Sequence, residues 1–108
     1  MTAYAFAHLR SVDFNAEIVE YVEKIDATLD AHGGRFIVHN KVPEVMDGSF
    51  EGVLVLIEFP SAEAAKAWYH SAGYQEIVDF RINNSDGGAA IVEGVGPGYR
   101  AADMVAGK

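Results

Sequence analysis

The chain has 108 residues, of which 50% are hydrophobic and 22% charged, and its 16 acidic and 8 basic residues give a net charge of -8. This length predicts one domain with one core, and the longest apolar run, residues 53–57, is too short to span a membrane. The lack of cysteine excludes disulfides and thiolate metal sites, while an acidic chain with scattered lysines and arginines argues against nucleic acid and anionic membranes as partners.

The first predicted strand covers residues 3–10, where Tyr4, His8 and Arg10 alternate with small apolar residues. An amphipathic helix follows, with Asp13 as its predicted N-cap and apolar residues recurring every three to four positions up to the Gly33-Gly34 stop. The start of the chain lacks the basic and apolar segments of a secretory signal, so a cytoplasmic protein is expected.

The chain after Gly34 predicts five further elements, three strands and two helices. Strands are expected over residues 35–40 and 53–59, separated by a long connection, and Ser61 is expected to cap a helix that runs to about residue 71. Gly73 interrupts that helix, and residues 74–82 predict one further short helix. A polar turn over residues 83–88 leads to a fourth strand, residues 89–93.

The order strand, helix, strand, strand, helix, strand predicts an α+β domain of the ferredoxin-like class over residues 1–96, with a C-terminal tail over residues 97–108. Its sheet is antiparallel, has both helices on one face, and places the third strand between the first and the second. Because the strands are apolar on both faces, the face without helices would be left bare in water. A homodimer packed sheet to sheet is therefore expected.

Seven segments carry a resemblance to a known family: residues 33–36, 47–48, 57–61, 67–71, 74–75, 81 and 91–94. Together they resemble the domain-of-unknown-function 1330 family over nearly the whole chain. The resemblance implies a dimeric α+β barrel, a superfamily of homodimers with a pocket between sheet and helices that includes cofactor-free monooxygenases, isomerases, dehydratases and haem enzymes. This chain departs from the family pattern at the turn residues 47–48, at residues 71–74 and in lacking a basic residue near Gly52.

Glu58 is the one acid inside the apolar third strand, and such a carboxylate needs a partner, a shifted pKa or a cavity. The strand order places it beside Arg35 at the start of the second strand, so an Arg35/Glu58 pair is predicted. Two interpretations stay open. The pair sets strand register, or Arg35 holds an anionic or carbonyl group while Glu58 acts as a catalytic base.

His39 is the second candidate base, because it lies near the end of the second strand beside the long connection. The alternation predicts that it shares a face with Arg35. His8 and His39 are expected at the opposite end of the sheet from Glu58, which argues against a metal site of two histidines and one carboxylate. Neither a metal nor a tightly held cofactor is expected.

Tyr69, Tyr74 and Arg81 are the candidate ligand-binding residues near the helix break at Gly73. The aromatic rings are interpreted either as core or as a lid over a pocket to which the two tyrosines add hydroxyls. Arg81 either bonds the carbonyls of the last helical turn or anchors the carboxylate of a ligand, and the family pattern favours the anchor.

Three functional hypotheses remain from the sequence. The first is a cofactor-independent enzyme of the oxygenase, isomerase or lyase type that acts on a small organic acid or aromatic compound in a mostly apolar pocket bordered by His39, Glu58 and the residues near the helix break. The second is a non-catalytic dimeric binding or scaffold module. The third is a haem-handling protein, which a visible absorption spectrum would test.

Overall fold

The computed structural model describes residues 1–106 as a four-stranded antiparallel sheet with its helices on one face. The elements are, in chain order, β1 (Ala3–Val12), α1 (Ala16–Asp30), β2 (Arg35–Lys41), β3 (Val53–Phe59), α2 (Ala62–Tyr69), α3 (Ala72–Gln75), α4 (Val78–Ile82) and β4 (Ser85–Glu93). The strand order β2-β3-β1-β4 confirms the predicted ferredoxin-like arrangement with β3 between β1 and β2. No helix in the described residues is long and apolar enough to cross a membrane.

Two faces of the sheet follow from the alternation in β1. Ala3, Ala5, Ala7 and Leu9 are buried toward the helices, where the core also takes in Phe59 and Leu29. Tyr4, Phe6 and His8 point the other way, to the face that carries no helix, which we call the open face. The open face and the helix face are therefore chemically distinct, and both bear apolar residues.

The first helix begins two residues later than predicted. The side chain of Asn15, and not that of Asp13, accepts the hydrogen bond from the Ile18 amide at 3.1 Å and caps α1. The Asp13 amide instead donates to the Asn84 carbonyl at 2.7 Å, which keeps this segment tied to the chain that enters β4. The predicted Ser61 cap of α2 is present, with its hydroxyl accepting from the Ala64 amide.

The fourth strand is longer than the predicted residues 89–93, because it starts at Ser85. A Cβ at position 87 would lie 2.0 Å from the His8 carbonyl oxygen, so glycine allows the strand to approach β1 here. The predicted turn is thus mostly strand. The tail forms a short 3₁₀ turn over Ala101–Met104, and its last two residues, Gly107 and Lys108, lie outside the described part of the chain.

Residues 74–82 form two helices and not one. The backbone bonds Ile77 N–H to Tyr74 C=O and Phe80 N–H to Ile77 C=O are both i,i+3 bonds of 3.0 Å, which separate α3 from α4 at the buried Ile77. Tyr74 and Arg81 therefore stand on different short helices.

Candidate functional site

A cavity of about 740 Å³, open to solvent on one side, lies between the helix face of the sheet and the helices. Its floor includes Ala5, Ala7 and Ala89, which adjoin one another in the β1–β4 pairing. Alanine at these positions leaves room where larger side chains would fill the layer between sheet and helix. The cavity thus comes from small residues on the strands.

Aromatic rings from the broken helical segment form one wall of the cavity. Trp68 and Tyr74 are buried, their ring centroids lie 4.1 Å apart, and the indole N–H donates to the Thr28 hydroxyl at 2.9 Å. Ser71 begins α3, and its hydroxyl accepts from the Tyr74 amide. Tyr69 packs on Tyr74 with a centroid distance of 5.5 Å, so this wall is well fixed.

Tyr21 and Tyr74 bring two hydroxyls together at the cavity. Their oxygen atoms lie 2.7 Å apart, in a hydrogen bond that either can donate. Burial raises the pKa of the Tyr21 hydroxyl well above its usual range, and Tyr74 adds to that rise, while the neighbouring Arg81 opposes it. Tyr21 therefore stays neutral and serves as a hydrogen-bond donor or acceptor, not as a base.

Arg81 is half-buried and lines the same cavity as the two tyrosines. Burial acts to lower the pKa of its guanidinium, but Tyr74 and Tyr21 act in the other direction and the net effect is a raised pKa. The group is thus a fixed cation. Arg10 and Arg35 are in ion pairs with carboxylates, whereas within residues 1–106 Arg81 has none.

His39 lies at the exposed edge of the cavity, with its ring 4.6 Å from that of Phe36. The prediction that it shares a face with Arg35 is wrong. Two register shifts in β2, between Phe36 and Val38 and between Val38 and Lys41, add residues that have no partner on β3. Asn40 in the second shift has a φ of 56°. Arg35 consequently stays on the open face while His39 turns to the cavity.

The predicted Arg35/Glu58 pair is present, and it does not line the cavity. The two residues are direct partners in the β2–β3 register, and both Nε and an Nη atom of Arg35 lie 3.0 Å from Oε1 of Glu58. Register with Tyr4 places the pair on the open face. The expectation that Glu58 borders the pocket is therefore wrong, because the carboxylate points away from the helices.

Arg10 and Asp86 close an ion pair beside the cavity, where β1 has an extra residue relative to β4. Nε and an Nη of Arg10 donate to the two carboxylate oxygens at 3.0 and 2.9 Å. This contact lowers the pKa of Asp86, with the hydrogen bond as the larger cause and the charge of Arg10 next. Arg10 also lines the cavity, with Asp86 as its carboxylate partner.

The four candidates His39, Tyr69, Tyr74 and Arg81 thus share one cavity, while Arg35 and Glu58 share the open face. His8 is also on the open face, where Nε2 lies 2.6 Å from the Glu51 carbonyl oxygen. Across residues 1–106 the structure brings no three histidine, aspartate or glutamate side chains into a group that could hold a metal ion.

Tyr21 and the strand alanines are the site residues that the sequence reasoning missed. Tyr21 belongs to the apolar stripe of α1, and a tyrosine in such a stripe needs a partner for its hydroxyl. The repeated alanines of β1 form one strand face, and alanine opposite two helices also indicates unfilled space. Both signals are visible in the sequence.

The raised pKa of Tyr21 predicts a loss of stability at high pH. Its contribution is complete below the pKa of an unfolded tyrosine, about 10, and is lost as the pH rises from there toward the folded pKa, by at most about 1.4 kcal/mol per pH unit. We expect Tyr21→Phe to flatten the fall in unfolding free energy between about pH 9.5 and 11.5 in urea titrations. Tyr99→Phe, an exposed tyrosine, serves as the control, and an equal slope in wild type and Tyr21→Phe would contradict the prediction.

The fold and cavity define a class: a ferredoxin-like α+β domain with a cavity between sheet and helices. The profile of a family described as "Domain of unknown function (DUF1330)" matches residues 2–95. The chain belongs to this family. A search of curated proteins finds no match.

Solved structures share the fold at low identity. The methylated RPA0582 protein of Rhodopseudomonas palustris is 15% identical, with a TM-score of 0.69 over 91% of this chain and 84% of that one. A dimeric ferredoxin-like protein of unknown function from Jannaschia sp. CCS1 is 14% identical, with a TM-score of 0.56 over 85% and 96%. SnoaB, a cofactor-independent oxygenase from Streptomyces nogalater, is 11% identical, with a TM-score of 0.53 over 92% and 96%.

Proposed function

We propose that this protein binds a small, largely apolar organic compound in the cavity between sheet and helices. The observation that carries the proposal is the cavity itself: about 740 Å³, walled by aromatic rings and floored by alanine. Ligand sites typically enclose 300–1,000 Å³ and combine apolar walls with a few polar groups. A cavity of this size beside a tyrosine pair and an arginine fits this description.

We also propose that the protein is a homodimer that packs through the open face. One row of that face consists of Val38, Leu56, Phe6 and Ala90, which are successive partners across β2, β3, β1 and β4. Phe6 is 40% exposed and Val92, in the next row, 50%. A second copy would cover these apolar side chains, and a solved neighbour described as dimeric supports the dimeric state.

Catalysis without a cofactor is the second candidate function, and the position of His39 favours it. This histidine stands at the edge of the cavity, where it can accept a proton from a bound compound. A neighbour of the same fold is a cofactor-independent oxygenase. The competing role, a binding module without chemistry, draws support from Glu58, whose carboxylate is paired on the open face.

The binding proposal is tested with the chain's single tryptophan, Trp68, which lines the cavity. Naphthalene derivatives titrated into the protein should quench its fluorescence, and soaked crystals should show them over the alanine floor. Ala89→Phe, which fills that floor, should abolish the quenching, whereas Ala27→Phe on the exposed side of α1 should not. Binding that survives Ala89→Phe would refute the assignment of the site.

Measuring turnover alongside the binding titration separates catalysis from binding without chemistry. If the protein is an enzyme with His39 as base, His39→Ala should retain binding and lose turnover of any compound that the wild type consumes. Turnover at the wild-type rate in His39→Ala would remove the histidine from the chemistry.

A further inference from the structure

The polar cluster of the cavity, formed by Tyr21, Tyr74 and Arg81, has more hydrogen-bond donors than acceptors to receive them. A guanidinium carries five N–H donors and no acceptor, and each tyrosine adds one O–H. The 2.7 Å contact between the two hydroxyls uses one O–H proton, and Arg81 is also close enough to both hydroxyls for hydrogen bonding. Two phenol oxygens cannot accept from all five N–H groups, so the cluster lacks an acceptor for the remaining donors.

Within residues 1–106 no carboxylate forms an ion pair with Arg81. The chain has 16 acidic residues, and carboxylates pair with Arg10, Lys24 and Arg35, but the ion pairs of residues 1–106 do not include Arg81. Arg81 is at the same time half-buried against an apolar cavity. A cation held out of water in this way strongly favours a hydrogen-bonded anion beside it.

The two tyrosine hydroxyls also favour a hydrogen-bond acceptor in the cavity. Arg81 is close enough to Tyr21 that its charge and hydrogen bonding act to lower the pKa of that hydroxyl, and both tyrosines act to raise the pKa of Arg81, so the hydroxyl lone pairs face a cation. One hydroxyl proton lies between the tyrosines, and the other remains free for an acceptor in the cavity. An amine or ammonium group would meet donors and a positive charge here, and is disfavoured.

We propose that the ligand is an aromatic carboxylate, whose carboxylate group is held by Arg81 and by the free hydroxyl proton of the Tyr21/Tyr74 pair. This inference rests on the proposed function, since it names the class of compound that the cavity takes. A single guanidinium with one or two hydroxyl donors matches the charge of a carboxylate. A phosphate dianion would need further cations in this cluster, whereas the other two basic residues that line the cavity, Arg10 and Lys66, are exposed and stand outside it.

The walls of the cavity indicate the shape of the ligand beyond its carboxylate. Trp68, Tyr69 and Tyr74 present ring surfaces on one side, and Phe36 adds another ring from β2. The floor includes Ala5 and Ala89, whose side chains are single methyl groups. A flat ring system stacks on such rings and passes over alanine without a clash, and the branched aliphatic residues that complete the lining, such as Ile25 and Val55, keep its surroundings apolar.

The experiment compares three naphthalenes of one shape by isothermal titration calorimetry: 2-naphthoate, 2-naphthylmethanol and 2-naphthylmethylammonium. We expect 2-naphthoate to bind at least about tenfold more tightly than the alcohol, and the ammonium compound to bind most weakly. Arg81→Gln should lower the affinity for 2-naphthoate by about ten- to a hundredfold and change the affinity for the alcohol by no more than about twofold. Tyr21→Phe should have a smaller effect of the same kind. Lys24→Gln removes one positive charge from the outer side of α1 and should leave the three affinities unchanged.

The outcomes separate this inference from the proposed function. If the alcohol binds as tightly as 2-naphthoate, or if Arg81→Gln weakens both equally, the carboxylate site is refuted while the cavity remains a ligand site. If none of the three compounds binds, the proposed function fails and the inference fails with it. Should Arg81→Gln not fold, the ratio of 2-naphthoate to alcohol affinity in the wild type decides alone, and a ratio near one overturns the inference.

Discussion

Phe59→Ala is expected to lower the free energy of unfolding by about 3–5 kcal/mol, a large part of the 5–15 kcal/mol that typically stabilises a small domain. Phe59 is the last residue of β3 and is fully buried, and its ring lies 5.4 Å from that of Trp68. Removing the ring forfeits its burial and leaves a cavity beneath α2. The measurement is urea unfolding followed by circular dichroism at one protein concentration.

The control is Phe50→Ala in the β2–β3 connection, where the ring is 55% exposed and the loss should stay below about 1 kcal/mol. Equal losses at the two positions would contradict the role given to Phe59.

Gly34 provides a sharper test of the same packing. A Cβ built there would lie 2.6 Å from the Phe59 ring and 2.8 Å from the Leu29 side chain, so Gly34→Ala should itself be destabilising. In the Phe59→Ala background part of that clash is gone. The double variant should therefore lose less stability than the sum of the two single variants, with a coupling of about 0.5–3 kcal/mol. Strict additivity would mean that the glycine has no packing role toward this ring.

The strand order and the Arg35/Glu58 contact could be derived from the sequence because both depend on simple periodicity. A period of two assigns each residue of β1 and β3 to a face, and the ferredoxin-like connections leave one arrangement of the four strands. Glu58 then has Arg35 as its only opposite neighbour of opposite charge. No detail of side-chain packing enters this argument.

The face of His39 could not be derived in the same way. Each unpaired residue in β2 reverses the alternation beyond it, and nothing in the run from Arg35 to Lys41 marks where the shifts fall, apart from an asparagine that can adopt a positive φ. The size of the cavity was equally hidden, because its volume depends on how far the helices stand from Ala5 and Ala89. Periodicity assigns residues to faces, but the distance between layers comes from packing.

Leu56→Asp is expected to convert the proposed homodimer into a monomer. Leu56 lies in the middle of the open face, between Phe6 of β1 and Val38 of β2, and it does not line the cavity. In a dimer packed through this face the new carboxylate would be buried against apolar residues of the second copy, where an unpaired charge costs several kcal/mol. Sedimentation equilibrium should give twice the chain mass for the wild type and the chain mass for the variant.

Two further variants test whether the loss of the dimer is specific to the open face. Val92→Asp changes a residue of the same face that is already 50% exposed, so it should dissociate the dimer with little cost to the fold. Val19→Asp makes the same exchange on the outer side of α1, where the residue is 39% exposed, and should leave a dimer. A monomeric wild type would refute the proposal, and so would a dimer that withstands both open-face substitutions. Because the Arg35/Glu58 pair lies on the same face, dimer formation would also remove that pair from water. Glu58 would then be an interface residue and not a catalytic one.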